Sequence, residues 1–519
     1  MVSVADAALS PDVMDQAMRL LDVRSLALAA GVCKAWHEHA AVFAAQACWR
    51  TCVSTKEDLE EALEEVFAGV RDCPFRPNCA FMFFTDSYLA RDEDFSAALD
   101  KQLAKLPPLP LLGCTGVSVV GVNAAGVQHE LEPDMAERRP AVGISLALAR
   151  VLGNVTLSVP KGENPNQREA EVFGKATLDT LRAALGDGSG RNVRAVVVAD
   201  ASSQETYENL DSFVASLDKA FPGAEVTGGI ASSFRQPKSR VIVRQPADAK
   251  SRVLAKSRVL ADVIAVMTMA SEAEGEDPLP ITHASVARNF FPLGPSFTVK
   301  GVVTDEDGDF HITEIVEQGG GGGGKEEGAN PGERLQRQLK TVLENANKGF
   351  VSGHMMLGTS PAPNAPPAQL KLHEILLQAG GLLISAEEGS VAEGATLRLM
   401  SQGDARGMEL DVQNQMKWTE AYLQERPGFG NRLAEDGRGE TRTTVRGGLM
   451  FACSGRGSRF FGRPNVDSEA FQGAFPSATG PTRGLAGFFC NGEIGPTHLG
   501  STETKLHGFT SVYTLFEGV

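Results

Sequence analysis

The sequence predicts a mixed α+β protein: a three-helix module at the N-terminus, then two mixed α/β lobes with mainly β cores. Three observations carry this. Apolar residues recur at helical spacing over residues 8–55. Short apolar strands alternate with amphipathic helices from 79 to 316. The same alternation resumes behind a glycine-rich break at 317–333. At roughly 100–200 residues per domain, a chain of 519 residues holds about three such units. The boundaries drawn are 8–55 for the helical module, 56–78 for a connecting helix and linker, 79–316 for the first lobe, 317–333 for the linker and 334–519 for the second lobe.

Each element has a local reason. Ser10 caps the first helix, with Pro11 at its first position, where the missing N–H costs nothing. Val13, Ala17, Met18 and Leu21 follow at helical spacing, and Asp22 opens a second helix carrying Leu26 and Ala30. Gly31 breaks that helix, and Val32-Cys33-Lys34-Ala35-Trp36 starts a third that runs towards Trp49. In the first lobe, strands are expected at 81–85, 109–114, 195–199, 225–227, 240–243 and 263–267, with helices ending near Lys105 and at 168–185 and 208–221. In the second, a helix with Leu335, Leu339, Val342 and Leu343 on one face precedes strands around 449–454, 486–490 and 509–516. The hexapeptide Ala-Lys-Ser-Arg-Val-Leu stands twice in tandem, at 249–254 and 255–260, and reads as a duplication in a solvated hairpin.

Composition excludes several function classes. The net charge is −16 and the pI about 5.2, against the cationic surface that nucleic acids and anionic membranes require. Eight cysteines are thinly spread, without a CxxC pair, as expected of reduced thiols. No stretch of about 18 apolar residues suggests a membrane span, and the first residues match no signal peptide.

Catalytic motifs are likewise absent. The run from Gly319 to Gly324 with Lys325 ends in Glu326 where a phosphate loop needs Ser or Thr, so it reads as a flexible linker. His37-Glu38-His39 lacks zinc-protease spacing, and no GxSxG elbow occurs. No cofactor and no metal site is expected.

The first module resembles the F-box. The matching residues are Leu9-Ser10-Pro11-Asp12-Val13, Leu21-Asp22 with Leu26, and Val32-Cys33-Lys34-Ala35-Trp36, with Trp49 further on. Ser10 is inserted between Leu9 and Pro11. The remainder resembles the FIST family, whose N- and C-terminal halves occur together in sensory proteins and in one class of F-box proteins. Its C-terminal half is matched by residues 391–399, by 449–457 (Leu-Met-Phe-Ala-Cys-Ser-Gly-Arg-Gly), by 486–496 (Ala-Gly-Phe-Phe-Cys-Asn-Gly-Glu-Ile-Gly-Pro) and by 506–511. The N-terminal half is matched more weakly, by 112–116, 227–229 and 292–295.

That resemblance implies a non-catalytic, substrate-recognition subunit of a Skp–cullin–F-box ubiquitin ligase in the cytoplasm and nucleus. Leu9, Pro11, Val13, Leu21, Leu26, Val32, Cys33 and Trp36 would dock a Skp-type adaptor, the adaptor would reach a cullin, and the FIST halves would hold a target protein for degradation. The alternative it implies is a FIST-type sensor that binds a small molecule such as an amino acid. The candidate ligand or substrate residues are Cys453, Arg456, Glu493 and His507. Cys453 and Arg456 follow a buried strand in a turn with two glycines, Glu493 sits in a second glycine-bounded turn, and His507 precedes Gly508. Two readings stand side by side: a pocket lined by strand-end loops, or loops pinned by a buried Arg456–Glu493 pair and a structural His507.

Overall fold

A computed structural model describes residues 48–519 apart from 72, 74, 90–91, 152–153, 160–180, 182–192, 235–238, 246–255, 271–281, 305–309, 319–354, 363, 379–380, 385–390, 426–431, 434–439, 442–443, 479–482 and 519. The eight adaptor-docking residues and the glycine run therefore lie outside the described residues.

The described chain is mostly strand, which corrects the expected plan of a three-helix module and two α/β lobes. Six α-helices (Leu59–Arg71, Asp92–Leu103, Gln204–Ala220, Ala405–Glu425, Ser458–Phe461, Val466–Ala474) are set among 26 strands. Where the expected helical module can be seen, it is not helical: Cys48–Ser54 is a strand paired antiparallel with Ile144–Arg150. Its Trp49, Thr51 and Val53 are residues that suit a pleated, half-buried surface. Trp49 packs into the central core, while Cys52 faces the helix Leu59–Arg71.

Three six-stranded sheets share one plan. From edge to edge, the first runs Cys48–Ser54, Ile144–Arg150, Cys79–Thr85, Leu111–Gly116, Val241–Arg244, Ser257–Leu260. The second runs Asn154–Ser158, Ile264–Ala270, Val193–Ala199, Glu225–Ile230, Glu493–Pro496, Thr504–His507. The third runs Thr282–Ala287, Ser511–Gly518, Thr444–Cys453, Gly484–Cys490, Val119–Val122, Gln128–Leu131. In each, the third and fourth strands are parallel and joined by a helical crossover; the other pairs are antiparallel. In each, the last two strands form a hairpin supplied by a different repeat. The chain is thus three copies of one unit that exchange hairpins in a ring.

Helices cover the outer face of each sheet, as the right-handed crossover of a parallel pair requires. Leu59–Arg71 and Asp92–Leu103 cover the first, Gln204–Ala220 the second, and Ala405–Glu425 with Val466–Ala474 the third. The inner faces meet in a single apolar core that takes Trp49, Phe81 and Phe83 from the first sheet, Val196 and Val198 from the second, and Phe451, Phe488 and Phe516 from the third. Phe83 stacks on Phe488 at 5.1 Å and meets Phe451 edge-on at 6.2 Å. Trp49 stacks on Phe516 at 4.5 Å and donates its indole N–H to Gly484 O at 2.9 Å. Such pairs add about 0.5–1.5 kcal/mol each beyond their burial.

The crossing loops bond to one another where the three copies meet. Ser232 N donates to Thr115 O at 3.1 Å, the Ser232 hydroxyl donates to Phe489 O, Val117 N donates to the Ser232 hydroxyl at 2.8 Å, and Phe489 N donates to Ser118 O at 3.0 Å. One glycine recurs in the same place in every copy: an added Cβ would lie 1.7 Å from Met82 O at Gly113, 1.8 Å from Val197 O at Gly228 and 2.0 Å from Met450 O at Gly487.

The fourth sheet is a closed antiparallel barrel inserted into the third copy. It runs Phe290–Thr304, Phe310–Glu317, Gly381–Ile384, Lys371–Gln378, Met355–Ser360, Thr396–Gln402. Arg288 ties it to the body. Its guanidinium donates to Leu370 O, to Pro367 O at 3.1 Å and to Thr497 O at 3.1 Å, and burial lowers its pKa to about 10.

Candidate functional site

In sheets with parallel strands, ligands favour the crevice beyond the strands' carboxyl ends. Each copy has one such end, and equivalent positions follow from the shared register. Thr85, Asp200 and Cys453 are equivalent, since their N–H groups donate to Gly143, Val263 and Thr510 carbonyls at the same step of each ladder. In the exchanged hairpins, Val119 faces Leu131, Val241 faces Leu260, and Glu493 faces His507. On the other side the same three residues face Phe488, Cys114 and Gly229.

The third copy therefore departs from its siblings. Where two copies place a valine–leucine pair against the central core, the third places Glu493 and His507. Burying a carboxyl costs stability unless something compensates it, and the fold solves the same position twice without one. The elements of the site are thus brought together by an exception within a repeat.

Glu493 is fully buried. Its Oε2 accepts from Thr510 N at 3.0 Å and from the Thr510 hydroxyl at 2.8 Å, and its Oε1 accepts from the Cys490 thiol at 3.4 Å. Burial outweighs these donors and raises its pKa to about 7. Cys453 is half-buried, beside exposed Ser454, Gly455 and Asn491. Burial, then Glu493, pushes its thiol up, while the Gly455 and Phe509 backbone N–H groups pull the other way. His507 directs Nε2 at Gly495 O and Pro496 O, both at 3.1 Å, and burial lowers its pKa to about 4. A neutral imidazole that donates to two carbonyls is held in place rather than poised for proton transfer.

Arg456 does not pair with Glu493. Its side chain is wholly buried and forks onto Asp467, Nε to Oδ2 at 3.0 Å and Nη2 to Oδ1 at 2.7 Å. A third N–H reaches the Asn289 side chain, and the guanidinium lies 5.1 Å from the centre of the Phe461 ring. Of the four sequence-derived candidates, Cys453 and Glu493 lie close enough to interact, His507 is the register partner of Glu493, and Arg456 pins the turn after Cys453 to Asp467.

Sequence reasoning missed Glu130. The short strand Gln128–Leu131 crosses to the third sheet and clamps the turn between Ser458 and Ser468. Glu130 N donates to the Asn465 side chain at 2.8 Å, Ser468 N donates to Glu130 Oε1 at 2.8 Å, and Ser458 N donates to both oxygens of Glu132, at 2.8 and 2.9 Å. Burial, then nearby Asp467, raises the Glu130 pKa to about 8, and its second oxygen has no partner.

A carboxyl whose folded pKa lies above its unfolded value folds best protonated. Its stabilisation is complete below about pH 4.5 and declines as pH rises to about 8. Glu130→Gln keeps the Ser468 contact and removes the titration. The variant should match the wild type near pH 4 and melt higher at pH 8; equal melting temperatures at both pH values would refute the protonated Glu130.

Comparison with known proteins adds the family. The FIST N domain model matches residues 78–315, and the FIST C domain model matches residues 369–496. The chain carries both FIST domains. The FIST N match begins at the parallel strands of the first copy, runs through the second and ends in the barrel. The FIST C match starts in the barrel and includes Cys453, Arg456 and Glu493, while His507 lies beyond it. Neither reaches residues 9–36.

An uncharacterized protein of Mycobacterium tuberculosis strain H37Rv is 26% identical over 472 residues, covering 89% of this chain and 98% of its own length. An uncharacterized protein of Mycobacterium bovis is 25% identical over 480 residues, covering 89% and 97%. In both relatives the matched region is nearly the whole protein.

Proposed function

We propose that the FIST unit is a small-molecule sensor, and that its ligand, of the amino-acid class, binds at the strand ends that carry Cys453, Ser454, Gly455, Asn491 and Glu493. The observation that supports this is the exception in the repeat: Glu493 and His507 stand where Val119 with Leu131, and Val241 with Leu260, complete the core elsewhere. A binding role needs no nucleophile–base pair, and His507 is committed to backbone carbonyls. The ubiquitin-ligase reading rests on residues 9–36, and no observation within the described residues favours it.

A thermal-shift panel of free amino acids and related metabolites tests the proposal. A ligand at about 100 times its Kd stabilises by roughly 2.7 kcal/mol. At least one compound should raise the melting temperature of the wild type and fail to do so with Glu493→Val. A shift that survives undiminished in that variant would place the ligand elsewhere.

A further inference from the structure

The third copy carries a second exception beside the first. Cys453 and Cys490 are register partners, the last residues of two neighbouring parallel strands. The equivalent pairs are Thr85 with Gly116 in the first copy, and Asp200 with Ala231 in the second. Period-two alternation puts both thiols on the inner face, two residues beyond Phe451 and Phe488 of the central core. The Cys490 sulfur lies 3.1 Å from where a Cβ on Gly229 would stand, so the glycine makes room for it. Neighbouring strands lie about 4.8 Å apart, within the roughly 4.4–6.8 Å of Cα separation that a disulfide spans.

The two thiols differ in access and in partners. Among the cysteines whose side chains are described, Cys453 alone is not fully buried. Cys490 is buried, and its thiol is within hydrogen-bond reach of Ala452 O at 3.2 Å and of Glu493 Oε1 at 3.4 Å. A partly accessible thiol and a sheltered partner in register, whose proton the neighbouring Glu493 carboxyl can take, can close to a disulfide under peroxide. Burial and Glu493 push the Cys453 thiol up, so its attack is slow and needs peroxide in excess.

The geometry points to Cys453 and Cys490 as an oxidisable pair, with hydrogen peroxide as the oxidant, Cys453 as the sulfur oxidised first and Cys490 as the resolving thiol. In the first step the Cys453 sulfur attacks one peroxide oxygen. The S–O bond forms and the O–O bond breaks, the thiol proton leaves with the departing hydroxide, and sulfenic acid and water result. In the second, the Cys490 sulfur attacks the Cys453 sulfur while its proton passes to Glu493 Oε1. The S–S bond forms, the S–OH bond breaks, and the departing hydroxide recovers that proton as a second water. Two thiols and one peroxide become one disulfide and two waters. The bridge would pin the two strand ends together.

This inference stands on the thiols and does not need the ligand, and its test contains none. Reduced full-length protein is treated with hydrogen peroxide and mapped by peptide mass spectrometry under non-reducing conditions. The expected product links Cys453 to Cys490. Cys453→Ser should abolish it, and Cys490→Ser should leave a sulfenic acid at Cys453 that dimedone traps. Because Cys490 is buried, melting curves confirm that this variant folds. Glu493→Gln should slow disulfide closure at least about tenfold relative to formation of the Cys453 sulfenic acid, so that dimedone traps more of that intermediate than in the wild type. A wild type in which both sulfurs stay unlinked after treatment, or in which Cys490 pairs as readily with another cysteine, would overturn the assignment.

Discussion

Replacing Arg456 by alanine is expected to cost roughly 3–5 kcal/mol, the usual penalty for breaking a buried ion pair from one side. The guanidinium and the Asp467 carboxylate are both wholly excluded from solvent. Without Arg456, the Asp467 charge is left beside Glu130, which already lacks a partner for one oxygen. Asp467 opens the helix Val466–Ala474 against the third sheet, and its backbone carbonyl accepts from the Tyr513 hydroxyl at 3.1 Å. The loss should therefore spread into that sheet. Removing both charges should be far milder, because the two desolvation costs vanish together: Arg456→Met with Asp467→Asn should recover most of the stability. Urea denaturation of the single and double variants checks this. A single variant within about 1 kcal/mol of wild type would mean that the pair is not buried as described.

Gly487→Ala is expected to be comparably severe, above about 3 kcal/mol, because the strand beside it cannot yield. The new Cβ would stand 2.0 Å from the Met450 carbonyl oxygen and 2.8 Å from its carbon, both rigid backbone atoms in a parallel ladder. Gly113 and Gly228 present the same clash in the other copies, so their alanine variants should fail alike. Gly473 is the contrast. It lies inside the helix Val466–Ala474 with nothing within 4 Å of an added Cβ, and Gly473→Ala should stabilise by about 0.5–1 kcal/mol. Soluble yield and melting temperature of the four variants separate the cases. A folded, undisturbed Gly487→Ala would contradict the shared close approach.

Individual strands were legible because they are buried on both faces and read as continuous apolar runs; Cys79–Thr85, Val193–Ala199 and Ile264–Ala270 lie close to where the sequence placed them. The helix Ala405–Glu425 was missed although Met408, Val412 and Met416 recur every four residues. Its buried face also carries Asp411, Gln415 and Thr419, which break the apolar stripe. Asp411 is held there by Asn289 N at 2.8 Å, with burial raising its pKa to about 6.

The threefold plan was not legible. The copies share little beyond one glycine, and each sheet is completed by a hairpin from a distant segment, information that no local pattern carries. The third-copy insertion of a whole barrel further hides the period. For the site, glycine-bounded turns pointed to Cys453, Arg456 and Glu493, but not to their partners. Arg456 chose Asp467 because the turn after Cys453 leads into the helix that Asp467 opens, eleven residues on. Glu130 carries no motif; only the hairpin exchange brings it there.

The central claim is that Glu493 and His507 depart from the repeat for the sake of the site and not of the fold. The most direct measurement is the thermal unfolding, at neutral pH and without ligand, of Glu493→Val/His507→Leu, which restores the pair found in the other two copies. Exchanging a buried carboxyl and imidazole for the apolar residues that the core accepts twice should leave the melting temperature equal to the wild type's or raise it. A fall of several degrees would show that Glu493 and His507 hold the third copy together, and would contradict the account.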